Sequence, residues 1–131
     1  MAKLNEYKAY KGKEDDFQIS AAKYLDALGV LWFHPANERK LNVVRNSKGK
    51  AFSPLGAKLK RKGVKSGVPD IVILEPRGIY HGLFLELKVG KNKTTPNQEK
   101  WKSDLNKRNY LCLVSYSLEE SENIIKKYLS L

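Results

Sequence analysis

Residues 66–74 read SGVPDIVIL and residues 83–88 read LFLELK, and these two runs decide the fold. Both are apolar and rich in branched side chains, and the segment between them contains Pro76, Gly78 and Gly82. Short apolar runs separated by turn-forming residues are typical of neighbouring strands. The sequence therefore predicts a β-hairpin around which the rest of the chain is arranged.

Three charged residues interrupt this hairpin. Asp70 opens the first strand, and Glu86 and Lys88 lie in the second. Because side chains two apart share a face of a strand, Glu86 and Lys88 point the same way, opposite to Leu85 and Leu87. The hairpin is thus predicted to have one charged face and one apolar face.

The charged face can be interpreted in two ways. Carboxylates that converge from neighbouring strands repel each other unless a cation lies between them, and carboxylate oxygens suit Mg²⁺ or Mn²⁺. A lysine beside such an ion suits negative charge on a phosphate or an attacking water, which is the chemistry of phosphodiester hydrolysis. The other interpretation is an ordinary solvated strand face, since this spacing also arises by chance.

Further segments favour the first interpretation by resemblance. Residues 63–70 (GVKSGVPD) and 80–88 (YHGLFLELK) resemble the VRR-Nuc family of the PD-(D/E)xK nuclease superfamily. Matches in the same order along nearly the whole chain are 14–18 (EDDFQ), 34–38 (HPANE) and 95–98 (TPNQ). The resemblance implies an α/β protein with a restriction-endonuclease-like mixed β-sheet flanked by helices. It implies one nuclease domain over residues 14–131, and residues 1–13, with four lysines and no clear period, are predicted to form a basic arm.

The resemblance also implies a metal-dependent site. In it, Asp70 and Glu86, helped by the main-chain carbonyl of Leu87, bind Mg²⁺ or Mn²⁺, and Lys88 orients or deprotonates the attacking water. Four more residues are implied near the site: Glu14 as an auxiliary ligand or water-holder, Gln18 as its neighbour, and Asn37 and Glu38 at the border. For Glu14, a favourable acidic position near a helix N-terminus is an equally good explanation, and a solvated loop explains Asn37 and Glu38 nearly as well.

Gln98 has two candidate roles. The resemblance places it beside the catalytic residues. It is also three residues after Thr95, the spacing of a capping box, and one amide in one pose cannot fill both roles. We expect Gln98 to belong to the site.

The charge of the chain favours a polyanionic partner. Lys and Arg number 25 against 14 Asp and Glu, giving a formal net charge of +11. Nucleic acid is the first candidate partner and an anionic membrane the second. The sequence has no long apolar span and no signal-peptide pattern, so we expect a soluble intracellular protein without a membrane role.

The densest basic cluster directly precedes Asp70. Each phosphate that a protein neutralises on duplex DNA adds about −0.9 to the slope of log affinity against log salt. Such a cluster beside the predicted metal site favours phosphate contacts over a merely solvated surface. Its members are Lys58, Lys60, Arg61, Lys62 and Lys65.

Cysteine and histidine contribute no predicted chemistry. Cys112 is the only cysteine, so an intrachain disulfide or a thiolate zinc cluster is impossible. His34 and His81 are each far from a second histidine, which favours hydrogen-bonding or structural roles.

Periodicity and end signals predict the remaining elements. Residues 36–52 are predicted to be a polar, irregular connection, and 110–115 an interior strand because it is almost entirely apolar. Another strand is predicted over 30–34. Helices are predicted from 14 to 29, from 53 to 63, from 95 to 109 and from 117 onward, the last opening with a capping box over 117–120.

Short, standalone members of the resembled family are similar to Holliday junction resolvases and act as homodimers, which implies branched DNA as the substrate. The compact form also resembles members that bacteriophages encode, which implies the cytoplasm of a host cell. Alternative functions are a flap or linear DNA nuclease, a non-catalytic nucleic-acid-binding domain, or an interaction protein whose charge only aids solubility. Metal-dependent cleavage separates the nucleases from the other two.

Overall fold

The computed structural model describes residues 13–36, 44–45 and 51–131 of the chain. The predicted arm, apart from residue 13, and the candidate residues Asn37 and Glu38 lie outside these ranges. The helices are α1 (Lys13–Leu28), α2 (Pro54–Arg61), α3 (Pro96–Asn106) and α4 (Leu118–Leu129). The strands are β1 (Trp32–Phe33), β2 (Val44–Arg45), β3 (Ala51–Phe52), β4 (Ile71–Ile73), β5 (Leu83–Leu87) and β6 (Leu111–Ser115).

A four-stranded mixed sheet in the order β1-β4-β5-β6 carries the candidate site. The β1–β4 and β4–β5 pairs are antiparallel, and the β5–β6 pair is parallel. A parallel pair needs a crossover connection, which α3 supplies here. The predicted hairpin is confirmed, since β4 and β5 are adjacent with Ile71 opposite Leu85. The predicted α/β architecture, a mixed sheet flanked by helices, is also confirmed.

The apolar face of the hairpin packs against α1 and α4. The buried cluster consists of Ala21, Leu25, Ile71, Ile73, Leu83, Leu85, Ile125 and Tyr128. On the other face of the sheet, α3 lies over β5 and β6, where Glu86, Cys112 and Val114 share a small cavity with α3 side chains. The charged face predicted for the hairpin is therefore the face that α3 covers.

Two helix starts follow the sequence signals closely. At α2, the Ser53 hydroxyl accepts a hydrogen bond from the Gly56 N–H at 3.0 Å. At α3, the Thr95 hydroxyl accepts from the Gln98 N–H, and the Gln98 side-chain oxygen accepts from the Thr95 N–H. These contacts satisfy N–H groups that have no partner within the first turn of a helix.

The capping box predicted over residues 117–120 is only half formed. The Ser117 hydroxyl accepts from the Glu120 N–H at 3.0 Å, as expected. The Glu120 carboxylate, however, accepts from the N–H of Tyr116, one residue before the cap, at 2.7 Å. The carboxylate still accepts a hydrogen bond from a backbone N–H at the start of α4, but from Tyr116 and not from Ser117 as predicted.

Two predictions about strands were wrong. Residues 36–52 contain β2 and β3, which form a separate two-stranded antiparallel sheet, and are not wholly irregular. The strand β6 lies at an edge of the four-stranded sheet among the described residues, not in its interior. It is apolar on both faces because helices cover both: Leu111 and Leu113 pack on the α1 and α4 side, and Cys112 and Val114 lie under α3.

Within the parts of the chain that the structure describes, no helix is long and apolar enough to cross a bilayer.

Candidate active site

Asp70 and Glu86 are cross-strand neighbours at the end of the hairpin. The register pairs Ile71 with Leu85, so one further step places Asp70 opposite Glu86. Opposite residues of an antiparallel pair have Cβ atoms about 4.5–5.5 Å apart. Glu86 is 5% exposed, and Asp70 is half-buried. The fold thus brings both predicted carboxylates together beside α3.

The Asp70 carboxylate also closes the strand ladder. Its Oδ2 accepts a hydrogen bond from the Leu87 N–H at 2.8 Å. One residue beyond the Asp70–Glu86 pair, the same register places Pro69 opposite Leu87. Proline has no N–H to donate to the Leu87 carbonyl. Because the N–H and C=O of one strand residue point to the same side, the Leu87 carbonyl is directed towards the β4 side of the hairpin. Its role as a metal ligand stays a prediction.

His34, the residue after β1, forms a hydrogen bond with the backbone of Asp70. Its Nδ1 lies 2.5 Å from the main-chain oxygen of Asp70, so this nitrogen carries the proton and donates it. The sequence predicted a hydrogen-bonding or structural role for His34, and this contact confirms it. The aspartate is consequently fixed from both sides, through its carboxylate by β5 and through its backbone by the residue after β1.

Lys88 continues the alternation of β5. Its N–H donates to the Ser115 carbonyl at 2.8 Å, which extends the parallel ladder between β5 and β6 by one residue. Lys88 therefore faces the same side as Glu86, two residues earlier. The three candidate catalytic residues lie on one face of two adjacent strands.

Gln98 forms the capping box and also lies near Glu86. Its Oε1 is used by the Thr95 N–H at 2.8 Å. The side chain is half-buried and lines a cavity of about 10 Å³ together with Glu86. In this pose the amide fills the capping role, and a role for Gln98 in catalysis stays a prediction.

Lys102 is a neighbour of Glu86 that the sequence analysis missed. It lines the same small cavity and is half-buried. Its position four residues after Gln98 puts both on one face of α3. This spacing was the available signal, because a helix that places Gln98 over the sheet must place residue 102 there too.

Cys112 lies in this cavity as an inert group. It is 2% exposed, and burial raises the pKa of its thiol to about 12, with smaller effects from the surrounding charges. A thiol with so high a pKa is protonated at neutral pH and is a poor nucleophile. This agrees with the absence of any predicted chemistry for the residue.

Glu14 and Gln18 lie one turn apart on α1. Glu14 is exposed, and its Oε1 accepts from the Asn92 side chain at 3.4 Å, in the loop that follows β5. Gln18 is half-buried one turn later. Glu14 therefore contacts the connection between the site strand and α3, while neither residue shares the cavity of Glu86.

The donor set at the hairpin end suits a hard divalent cation. Asp70, Glu86 and the Leu87 carbonyl offer only oxygen, which is what Mg²⁺ and Mn²⁺ prefer. No group of three or more His, Cys, Asp or Glu residues able to hold a metal occurs in the described ranges. That is compatible with Mg²⁺, which often binds through one or two carboxylates and completes its shell with water and substrate phosphate.

The predicted basic cluster divides into two parts. All five residues are exposed, and none of α2 is buried. Lys60 and Lys65 line a groove between α2 and α3 that also contacts Ser66 and Asn97. The remaining three, Lys58, Arg61 and Lys62, lie outside the lining of the groove.

Gly67 joins the hairpin to α3 by close packing. Its φ is +81°, and a Cβ there would lie 2.8 Å from the Asn97 carbonyl carbon and Cβ and 2.9 Å from the Gln98 nitrogen. We expect Gly67→Ala to lower the free energy of unfolding by about 1–2 kcal/mol for the positive φ and by about 1–3 kcal/mol more for the overlap. Urea unfolding followed by circular dichroism measures this loss.

Gly29 provides the matched control for this prediction. Its φ is +72°, close to that of Gly67, but a Cβ there would meet nothing within 4 Å. Gly29→Ala should therefore lower the free energy of unfolding only by the part that comes from the positive φ, about 1–2 kcal/mol. Equal losses in the free energy of unfolding for the two variants would show that the close packing of Gly67 on α3 does not contribute to stability.

Comparison with known proteins assigns the chain to a family. The model of the VRR-NUC domain matches residues 8–118. A search of curated proteins finds no match. A solved structure described as a VRR_NUC domain protein is 30% identical, with a TM-score of 0.66 over 90% of this chain and 88% of the other.

A second solved structure, described as a VRR_NUC domain, has the same fold. It is 22% identical, with a TM-score of 0.54 over 88% of this chain and 96% of the other. The family match spans the hairpin with Asp70, Glu86 and Lys88 as well as α3. The chain therefore belongs to the VRR-NUC family of nuclease domains.

Proposed function

We propose that this protein is a divalent-metal-dependent endonuclease that hydrolyses phosphodiester bonds in DNA. The observation that carries the proposal is the cross-strand pair of Asp70 and Glu86, with Lys88 on the same sheet face. The net charge of +11 supports a polyanionic substrate, because carboxylates alone would repel phosphate. A binding-only domain has no need to keep two carboxylates together where they would repel phosphate.

Each residue of the candidate site has a separate role in the proposed reaction. Asp70, Glu86 and the Leu87 carbonyl would hold Mg²⁺ or Mn²⁺, and a bound cation of this kind polarises phosphate and lowers the pKa of water. Lys88 orients the attacking water and stabilises the negative charge that grows on the phosphate oxygens. The Leu87 N–H and His34 hold Asp70 in its orientation, so little rearrangement is needed when substrate arrives.

Two finer parts of the proposal concern the substrate and the assembly. We propose branched DNA as the preferred substrate and a homodimer as the active form, since two sites would cut two strands of one junction. The support for both is the resemblance to short members of the family. The groove lysines Lys60 and Lys65 and the exposed surface of α2 would contact the DNA backbone, which favours recognition of DNA shape over base sequence.

Incubation with a panel of DNA substrates tests this proposal. Four-way junction, flap and linear duplex DNA are incubated with the protein in Mg²⁺, in Mn²⁺ or in EDTA, and the products are resolved on denaturing gels. We expect cleavage only with metal, and paired symmetric nicks in the junction. Cleavage without junction preference would keep the nuclease and reject the branched substrate. Tight binding with no cleavage in either metal would reject the nuclease in favour of a binding domain.

A further inference from the structure

A groove of about 660 Å³ runs between α2 and α3. It combines apolar and basic side chains instead of basic ones alone. The apolar part comes from Leu59, Val64 and Trp101, and the basic part from Lys60, Lys65 and Lys100. A surface that only contacted phosphates would need no aromatic or aliphatic lining, so this composition suits a ligand that has both an anionic and an apolar part.

Trp101 is held in a fixed orientation at the wall of the groove. Its Nε1–H donates to the Ser66 carbonyl at 3.0 Å, and the neighbouring Asn97 side chain donates to the Ser66 hydroxyl at 2.8 Å. The ring is half-buried and lines the groove. Since its only hydrogen-bond donor is already used, the indole presents carbon surface to the groove, and the orientation of that surface is set before binding.

The groove and the candidate active site share their framework. Ser66 precedes Asp70 by four residues, which can span at most about 14 Å, or roughly four base steps of 3.4 Å. Asn97 lines the groove and Gln98 lines the cavity of Glu86. A ligand in the groove would therefore lie within a few nucleotides of a phosphate at the carboxylates.

The chemistry of the lining selects a nucleotide that is not base-paired. Bases in a duplex are stacked on each other, so only an unpaired base can present a face to a side chain such as Trp101. The three lysines are placed to contact the adjoining phosphates. Lys100 is also 3.1 Å from Asp104, but an exposed ion pair of this kind is weak and can yield to phosphate.

We propose that the groove between α2 and α3 binds an unpaired nucleotide, with its base stacked on Trp101 and its phosphates beside Lys60, Lys65 and Lys100. The proposal deepens the proposed function and rests on it, because an unpaired nucleotide in branched DNA occurs where single-stranded and paired DNA meet, as at a flap or at a junction whose centre has opened. Binding in the groove itself requires no cleavage, so the two ideas can be tested apart.

The test compares two single-stranded ligands in EDTA, where cleavage is blocked. One is a short, fluorescently labelled thymidine oligonucleotide, and the other is an abasic oligonucleotide with the same number of phosphates. We expect the wild-type protein to bind the thymidine ligand about 5- to 150-fold more tightly for each stacked base. Trp101→Ala should lose this preference, and Trp101→Phe should keep most of it. Equal affinity of wild type for both ligands, or a preference that survives in Trp101→Ala, would overturn the proposal.

A second measurement keeps the test valid if Trp101→Ala does not fold. The chain has two tryptophans, so in a Trp32→Phe variant the fluorescence reports on Trp101 alone. The thymidine ligand should quench this fluorescence and the abasic ligand should not. A purely structural role for Trp101, through its bond to Ser66, predicts no quenching by either ligand and no rescue by Trp101→Phe, and would contradict the proposal.

The outcomes also separate this inference from the proposed function. Metal-dependent cleavage without any preference for the thymidine ligand would leave the nuclease standing and remove the nucleotide groove. A clear preference in EDTA, combined with no cleavage in any metal, would leave the groove standing as a binding site and remove the nuclease.

Discussion

Glu86→Gln is expected to lower the rate of metal-dependent DNA cleavage by more than about 100-fold, because even partners behind the metal ligands typically cost 10- to 100-fold when removed. The substitution keeps the shape of a side chain that is 5% exposed and removes its negative charge. It removes both the repulsion from Asp70 and the attraction of Lys102, which lines the same cavity, so the free energy of unfolding without metal should change little. Single-turnover cleavage and urea unfolding measure the two effects.

A readout that does not depend on activity sharpens this test. A metal that binds the folded state raises its stability by mass action, so Mn²⁺ should raise the Tm of the wild type but not that of Glu86→Gln. The control is Glu119→Gln, the same change at an exposed position in the first turn of α4, which should behave as wild type. If Glu86→Gln cuts DNA at the wild-type rate, the carboxylate pair is structural and the proposed site is wrong.

Lys88→Met is expected to lower kcat by about 10²- to 10³-fold, the usual cost of removing one preorganised group that stabilises transition-state charge. The variant keeps most of the side-chain stem and leaves Asp70 and Glu86 in place. Unlike Glu86→Gln, it should therefore retain the rise in Tm that Mn²⁺ causes. Its affinity for DNA should change little, since one positive charge is lost from 25.

Lys91→Met is the matched control for this variant. Lys91 is exposed in the loop after β5, so the change alters net charge by the same amount near the same strand. Cleavage rates and DNA affinities of both variants are compared with those of wild type in Mn²⁺. An equal, small loss in both would mean that Lys88 acts only through general charge.

The core of the candidate site was predictable because it depends on one hairpin. Strand alternation put Glu86 and Lys88 on one face, and the hairpin put Asp70 at the entry of the neighbouring strand. Both inferences use residues connected by a short turn, so the cost of bringing them together is small. The N-caps of α2 and α3 were predictable for the same reason, since their hydrogen bonds span only three residues.

Long-range packing explains the predictions that were wrong. The strand β6 is almost entirely apolar, which indicated an interior position, yet among the described residues it is an edge strand with a helix on each face. An apolar pattern indicates that side chains are buried, but it does not indicate whether a neighbouring strand or a helix buries them. The Glu120 carboxylate similarly reached Tyr116 and not Ser117, because several backbone donors lie within reach at a helix start.

The amino-acid sequence alone specified the hairpin, its charged and apolar faces, the caps of α2 and α3 and the residue set of the resembled family, because these follow from contacts between near neighbours in the chain. Folding in three dimensions was needed to set His34 against Asp70 and Trp101 against Ser66, pairs separated by 36 and 35 residues. Such contacts depend on how helices and loops pack across the sheet. That packing creates the groove between α2 and α3.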